Sequence, residues 1–252
     1  MNIQGDTEIN RNHVKLKCLA IKIVHPFTLP GRNLAKNQVE ELLLRGYSFV
    51  RWGDGEASIL EGKSISYQCY SEELAFELKS VLFQPRKQLI VGAPYIFTCK
   101  SLLSLILEKK FVIWAESRAL FISQYQNTGR VYADAFGFRS ESDFSYLGVL
   151  KRLISASTSI YVIARESDNV DSFFSAIGAG RQVNRIVVPS DSCYSVIGEM
   201  ERQVNARGKG DLILLSCGLA SKALVARCLG AGAQLVDVGH LFDHFAERLV
   251  KK

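Results

Sequence analysis

The apolar positions change period along the chain, and the changes mark out the elements. From Arg32 to Arg45 they fall at Leu34, Val39, Leu42 and Leu43, which suits a helix with one buried face, and Gly46 is a natural stop. Tyr47–Trp52 is a short run of strand formers that leads directly into Gly53-Asp54-Gly55-Glu56. A helix is predicted over Ser71–Phe83 with Ser71 as its N-cap, and Gln88–Pro94 (QLIVGAP) reads as a buried strand. Leu102–Leu107 and Trp114–Gln124 read as helical, and Gly129–Phe136 as a weaker strand. Ahead of all this, residues 1–31 form an irregular lead-in whose one apolar stretch, Cys18–Val24, is stopped by Pro26 and Pro30.

The second half is more regular. Ser159–Ala164, Asn184–Val188, Asp211–Ser216 and Ala233–Val238 are short aliphatic runs, separated by helical stretches over Asp168–Ala179, Ser192–Ala206 and Leu219–Leu229. Alternation of this kind predicts βαβ units: an α/β, Rossmann-like fold with a mainly parallel sheet and helices on both faces. The expected organisation is one domain over residues 32–252 behind an N-terminal extension. Ligands of such sheets bind beyond the carboxyl ends of the strands. The positions to inspect are therefore Asp54 and Glu56, Pro94 and Tyr95, Arg165 and Glu166, Pro189 and Ser190, Ser216 to Gly218, and Asp237 to His240.

Composition adds limits. With 48% hydrophobic and 22% charged residues among 252, the chain is ordinary globular protein. No apolar run reaches the roughly 18 residues that cross a bilayer, and the polar start MNIQGDTEIN lacks the order of a secretory signal. The expected location is cytoplasmic. Six cysteines lie scattered without a CxxC pair, so buried free thiols are expected and a zinc site is not. The net charge of +6 is spread along the chain with no nucleic-acid-binding motif, which disfavours nucleic acid and leaves a phosphorylated substrate or an anionic membrane face.

Three strand ends carry chemistry. Asp54 and Glu56 are carboxylates one residue apart, and in an extended loop alternate residues point to one side. That arrangement suits a hard cation such as Mg²⁺ or Mn²⁺ shared with substrate phosphates. Gly53 and Gly55 permit close approach of a ligand, and the guanidinium of Arg51 matches phosphate oxygens. The same residues also suit an ordinary surface turn. At Ser216–Lys222 a buried strand meets a helix N-terminus that can receive an anion, with Lys222 on its first turn; plain packing of a βα turn is the other reading. Asp237 and His240 close the last strand, where they can act as base, metal ligand or ribose contact, or be structural.

Arg51-Trp52-Gly53-Asp54-Gly55-Glu56, followed by Tyr67-Gln68-Cys69-Tyr70, resembles the opening signature of the GT-D-fold glycosyltransferases, bacterial enzymes that use nucleotide sugars to build glycans. Further segments resemble that family in order: Phe121-Ile122-Ser123, Arg185–Ser190 with Tyr194, Asp211–Lys222, and Asp237-Val238-Gly239-His240. The resemblance implies that Asp54 and Glu56 hold the divalent metal, Mn²⁺ or Mg²⁺, and the donor diphosphate. It implies a nucleotide-sugar site lined by Gln68, Gly218 and Lys222, a nucleoside-side loop at Pro189, Ser190 and Tyr194, and a terminal motif at Asp237 and His240. The catalytic base expected for transfer is His240 or a carboxylate that the sequence does not single out. The chain departs from the family at Gly218-Leu219-Ala220, in place of Gly-Pro-Thr, and at a shortened Arg165–Asn169 loop.

The expected function is metal-dependent, hexosyltransferase-like transfer from a nucleotide-diphosphate sugar, UDP-linked first, to a glycan acceptor of polysaccharide, lipid-linked or glycoprotein type. Peripheral contact with the inner membrane face is part of that expectation. The alternatives are a metal-dependent nucleotide-sugar hydrolase and a non-catalytic sugar-nucleotide-binding subunit of a glycan-assembly complex.

Overall fold

The computed structural model describes residues 33–94, 121, 131–140 and 143–250. The expected extension over 1–31 and the predicted helices over Leu102–Leu107 and most of Trp114–Gln124 lie outside the described residues.

Among the described residues, seven strands form one sheet: β1 (Ser48–Arg51), β2 (Leu89–Ala93), β3 (Ala133–Asp134), β4 (Ile160–Arg165), β5 (Val183–Val188), β6 (Leu212–Ser216) and β7 (Gln234–Asp237). Their order is β3-β2-β1-β7-β6-β4-β5, and every pairing described is parallel. The carboxyl ends of all seven therefore share one edge. The central strands are buried on both faces, which explains why they read as continuous aliphatic runs without alternation. Val50, Val91, Ile163, Leu215 and Leu235 serve one face of the sheet. Phe49, Ile90, Val162, Leu214 and Val236 serve the other.

The helices are α1 (Lys36–Leu44), α2 (Asp54–Leu60), α3 (Glu72–Phe83), α4 (Leu147–Ala156), α5 (Val170–Ala176), α6 (Ile197–Asn205), α7 (Ala220–Cys228) and α8 (Leu241–Val250). Apolar residues of α2, α3, α6 and α7, such as Ile59, Leu78, Met200 and Leu224, fill the core on the first face. Those of α1, α4, α5 and α8, such as Leu43, Leu150, Phe173 and Phe242, fill the second. No helix among the described residues is long and apolar enough to cross a membrane.

Most predicted elements are present with shifted ends. Ser71 caps α3 as expected, its Oγ accepting from the Leu74 N–H at 3.2 Å. The stretch from Ser192 opens as a 3-10 turn, Cys193–Val196, before α6 begins. Three helices, α2, α4 and α8, were not predicted, and α2 stands where an extended loop was expected. In α4 the buried Val149, Leu150, Leu153 and Ile154 follow helical spacing, and α8 opens on buried Leu241 and Phe242. Of the described cysteines, Cys193, Cys217 and Cys228 are buried free thiols, but Cys69 is exposed on the loop before α3.

One expectation is overturned. Gly53–Glu56 is not an extended loop: Gly53 is the N-cap of α2, with Asp54 and Glu56 in its first turn. Two positions along a helix are separated by about 200° around its axis, so the carboxylates diverge where an extended chain would align them. Asp54 faces solvent and Glu56 is buried.

The loop after β4 is short yet strongly held. Asp168 is buried and accepts from Ser216 Oγ at 2.9 Å, from the Arg165 N–H at 3.3 Å and from Arg165 Nε at 2.8 Å. Arg185 donates to the carbonyls of Arg165, Glu166 and Asp168. Asp168→Ala is expected to lower stability by about 1–3 kcal/mol, because it strands buried donors that Asp168 now receives. A thermal or denaturant melt checks this, and a melt unchanged from wild type would refute the network's role.

Candidate active site

The strand ends of β1, β6 and β7 meet over one buried cation. The Lys222 ammonium, on the first turn of α7, lies 2.9 Å from Glu56 Oε1 and 2.8 Å from Asp237 Oδ2, and it donates to the Gly218 carbonyl at 3.1 Å. Its three protons are thereby all used. The side chains of Lys222, Glu56 and Asp237 are only 3%, 6% and 1% exposed, so the group is internal and does not face a ligand.

Each carboxylate is further engaged. Glu56 Oε2 accepts from the Gly53 N–H at 2.7 Å, the arrangement of a capping box whose cap is glycine. Asp237 accepts from the Gly239 N–H at 3.0 Å and from the Arg51 N–H at 3.4 Å. Burial pushes the Glu56 carboxyl up, but Lys222, its hydrogen bond and Arg51 together outweigh that and hold it below the usual carboxylate value. Burial likewise pulls Lys222 down, and Asp237 and Glu56 more than restore it.

Arg51 is the second feature. It is 8% exposed, its Nε is buried with no hydrogen-bond partner, and its nearest carboxylate oxygen, Asp237 Oδ1, is 3.9 Å away. The guanidinium lies across Gly239, whose φ of +56° and lack of a Cβ let it do so. A buried guanidinium with unused hydrogen-bonding capacity is suited to receive an anion.

His240, half-buried after Gly239, stands in a positive field. Burial lowers its pKa first, and Arg51, Arg165, Arg139 and Lys222 lower it further. The ring stacks on His244 with centroids 6.3 Å apart. It is consequently a neutral imidazole near neutral pH, able to accept a proton. Arg165 is itself tied to Asp168 and to Asp243, the latter at 3.0 Å, which joins the β4 loop to α8. Asp168, Asp243 and Arg139 were missed in the sequence, and no local motif marks them.

The remaining predicted site residues lie to one side. Gln68 is buried and its Oε1 accepts from the backbone N–H of Tyr194 at 3.3 Å, tying the loop before α3 to the loop after β5. The Tyr194 hydroxyl turns away toward Arg227, at 3.3 Å, among Glu73, Glu77 and Glu201. Pro189 and Ser190 are exposed at the end of β5. Gly218, with φ +60°, forms the turn under Lys222.

For a divalent metal, Asp54 presents an exposed carboxylate whose contact is with the N–H of its own neighbour Gly55, at 3.1 Å. Glu56 has both oxygens engaged. No group of three or more metal-ligating side chains occurs among the described residues. The donor set thus fits a Mg²⁺- or Mn²⁺-type ion held by one carboxylate and completed by ligand phosphates and water. It does not, as arranged, fit an ion enclosed by protein.

Lys222→Met is expected to cost about 3–5 kcal/mol at neutral pH, since it leaves buried carboxylates without their cation. Its pH dependence should oppose that of wild type. The wild-type Glu56 pKa is lowered, so its stabilising contribution is present above the unfolded value of about 4.5 and is lost as pH falls through the folded one. Without Lys222 the buried carboxyl gains proton affinity, so the deficit should shrink as pH falls. Denaturant melts between pH 7 and pH 4.5 decide it; a deficit that is constant or grows toward acid would refute the role given to Lys222.

The fold and the sequence both have known relatives. A family model described as glycosyltransferase GT-D fold matches residues 49–251. The chain is similar to Glycosyltransferase GlyD of Streptococcus pneumoniae serotype 4 (strain ATCC BAA-334 / TIGR4), 29% identical over 208 residues, covering 79% of this chain and 25% of that protein. It is 26% identical over 220 residues to Probable glycosyl transferase Gly of Streptococcus gordonii, covering 82% of this chain and 31% of that one. The chain therefore spans between a quarter and a third of the length of these curated relatives. Among solved structures, a domain of unknown function 1792 described as having a distinct glycosyltransferase fold is similar at 25% identity with a TM-score of 0.71, covering 87% of this chain and 82% of that chain. A glycosyltransferase (DUF1792) from Streptococcus sanguinis is similar at 26% identity with a TM-score of 0.67, covering 86% and 84%.

Proposed function

The chain belongs to the glycosyltransferase GT-D fold family, and from that premise we propose that it transfers a sugar from a nucleotide-diphosphate donor, UDP-linked in the first instance, to a glycan acceptor. The observation that carries this reading is the layout at the sheet edge. A buried, unsatisfied guanidinium (Arg51), an exposed carboxylate (Asp54) and a neutral imidazole in a positive field (His240) surround one strand end.

In this reading Arg51 receives the donor diphosphate and orients it by its planar fork. Asp54 would hold a Mn²⁺ or Mg²⁺ ion together with the phosphates; when bound, such an ion neutralises charge on the leaving diphosphate. Glu56 acts through Lys222 to fix the turn that carries Asp54. An acceptor hydroxyl attacks the anomeric carbon, and its oxygen–carbon bond forms as the bond from that carbon to the diphosphate oxygen breaks. The nucleoside diphosphate leaves with the electron pair, and the hydroxyl proton passes to His240.

The net charge of +6 suits a phosphate-rich donor and an acceptor of lipid-linked type at the inner face of a membrane. Polysaccharide and glycoprotein acceptors belong in the same acceptor panel.

Asp54→Asn is expected to abolish transfer and Mn²⁺-dependent nucleotide binding while leaving the melting temperature of the free protein unchanged, since Asp54 is exposed. Calorimetry with UDP, with and without Mn²⁺, alongside transfer assays, checks this. Retained binding and transfer would refute the assignment. Donor binding by wild type without turnover would instead assign a non-catalytic subunit, and release of sugar to water at the rate of transfer would assign a hydrolase.

The His240 imidazole should titrate below its ordinary value of 6.5 in the free protein and rise when a nucleotide diphosphate neutralises the surrounding cations. An NMR titration with and without UDP measures both. A free-protein value at or above 6.5, or no movement on binding, would remove His240 from the site.

A further inference from the structure

Tyr67 stands at the mouth of the site with 39% of its surface open. Single exposed aromatics are common on protein surfaces, but this one is held in place. Its carbonyl accepts from the Ser192 N–H at 2.8 Å, and Ile65 and Gln68 on either side exchange backbone hydrogen bonds at 3.0 and 3.2 Å. Buried Gln68 adds the link to Tyr194 already described. The ring rests on a floor made by two glycines. A Cβ at Gly218 would come within 3.2 Å of Tyr67 Cε2, and one at Gly55 within 3.1 Å of its hydroxyl. Those glycines stand at the starts of α7 and α2, beside Lys222 and Asp54.

Tyr67 and His240 lie on opposite sides of the sheet edge. Ile65 packs on the core that α2, α6 and α7 share with Cys193 and Tyr194. Leu241 and Phe242, following His240, pack on the opposite core. Arg51, at the end of β1, lies within electrostatic reach of both Tyr67 and His240, and Asp54 begins α2 on the side of Tyr67. With the reacting sugar beside His240 and the diphosphate over Arg51, the nucleoside extends toward Tyr67.

We propose that Tyr67 is the platform on which the donor's nucleobase stacks, its seated ring offering the open face to a flat heteroaromatic. The proposal rests on the nucleotide-diphosphate reading given above. Its chemistry is sequence-tolerant stacking and dispersion, which any base can supply, so it fixes the site's preference for a nucleoside over a bare phosphate. The two glycines keep the ring low enough for the base and the diphosphate to be bound together.

The test is calorimetric titration of the full chain with UDP, dTDP, GDP and inorganic pyrophosphate, each in the presence of Mn²⁺. The tightest nucleotide is then measured against Tyr67→Phe, Tyr67→Leu and Tyr67→Ala, with a thermal melt for each variant. Tyr67→Phe is expected to bind like wild type. Tyr67→Leu and Tyr67→Ala should weaken the nucleotide by about five-fold or more while pyrophosphate is bound as before. A leucine variant that binds the nucleotide like wild type overturns the proposal. So does an equal loss for pyrophosphate, which would mean that the ring only shapes the turn beneath it. Failure of wild type to bind any of the three nucleotides overturns both this proposal and the donor reading, whereas a failure confined to the Tyr67 variants leaves the donor reading standing.

Discussion

The ammonium of Lys222 is the contact on which the sheet edge depends. It joins α7 to α2 through Glu56 and to β7 through Asp237, and closes on its own turn through Gly218. Three segments, one of them more than a hundred residues from the other two in sequence, are thereby fixed around one charge. Such a group is tolerated in the interior only when every proton and lone pair is matched, because an uncompensated buried charge costs several kcal/mol. The oxygens are all engaged: Lys222 contacts one of each carboxylate, the backbone N–H groups of Gly53 and Gly239 donate to the other two, and the Arg51 N–H shares Asp237 Oδ2, while the Arg51 guanidinium supplies the second positive charge at 3.9 Å.

That internal pairing determines what is left for a ligand. Lys222 balances one of the two carboxylate charges and Arg51 stands against the other at 3.9 Å, without a hydrogen bond from its Nε, so hydrogen-bonding capacity of the guanidinium remains at the edge. Arg139 and Arg165 add positive potential toward His240. An anion entering here meets charge that the fold has already oriented, so little reorganisation is needed on binding. The helical twist contributes as well. By turning Asp54 outward and Glu56 inward, it divides a two-carboxylate motif into one group that supports the scaffold and one that faces solvent.

Much of the fold was legible in the sequence because parallel strands covered on both faces leave continuous aliphatic runs, as in Leu212–Leu215 and Ile160–Ala164. The edge strand β3, two residues long, leaves almost no such trace. The three site segments, Arg51–Glu56, Gly218–Lys222 and Asp237–His240, were legible from glycines and charges at strand ends. Their division of labour was not. The orientation of Glu56 depends on a helix that starts at Asp54, and a Gly-Asp-Gly sequence suits a turn as well as a helix start. Asp168 and Asp243 were illegible for another reason: their partners, Ser216 and Arg165, are adjacent only once β4, β6 and α8 have packed.

The loop after β4 is short and densely held: Arg165 pairs with Asp168 and Asp243, and Arg185 donates to the carbonyls of Arg165, Glu166 and Asp168. The arginine nearest His240 on that side is therefore partly neutralised and fixed in direction, while Arg51, lacking a close partner, remains the stronger anchor. The sheet edge thus grades from an unsatisfied cation over β1 to a satisfied one over β4. In the proposed transfer, a diphosphate drawn to Arg51 would leave its sugar near His240, while Lys222 and Arg165 stay held by carboxylates of the fold and do not compete for the phosphates.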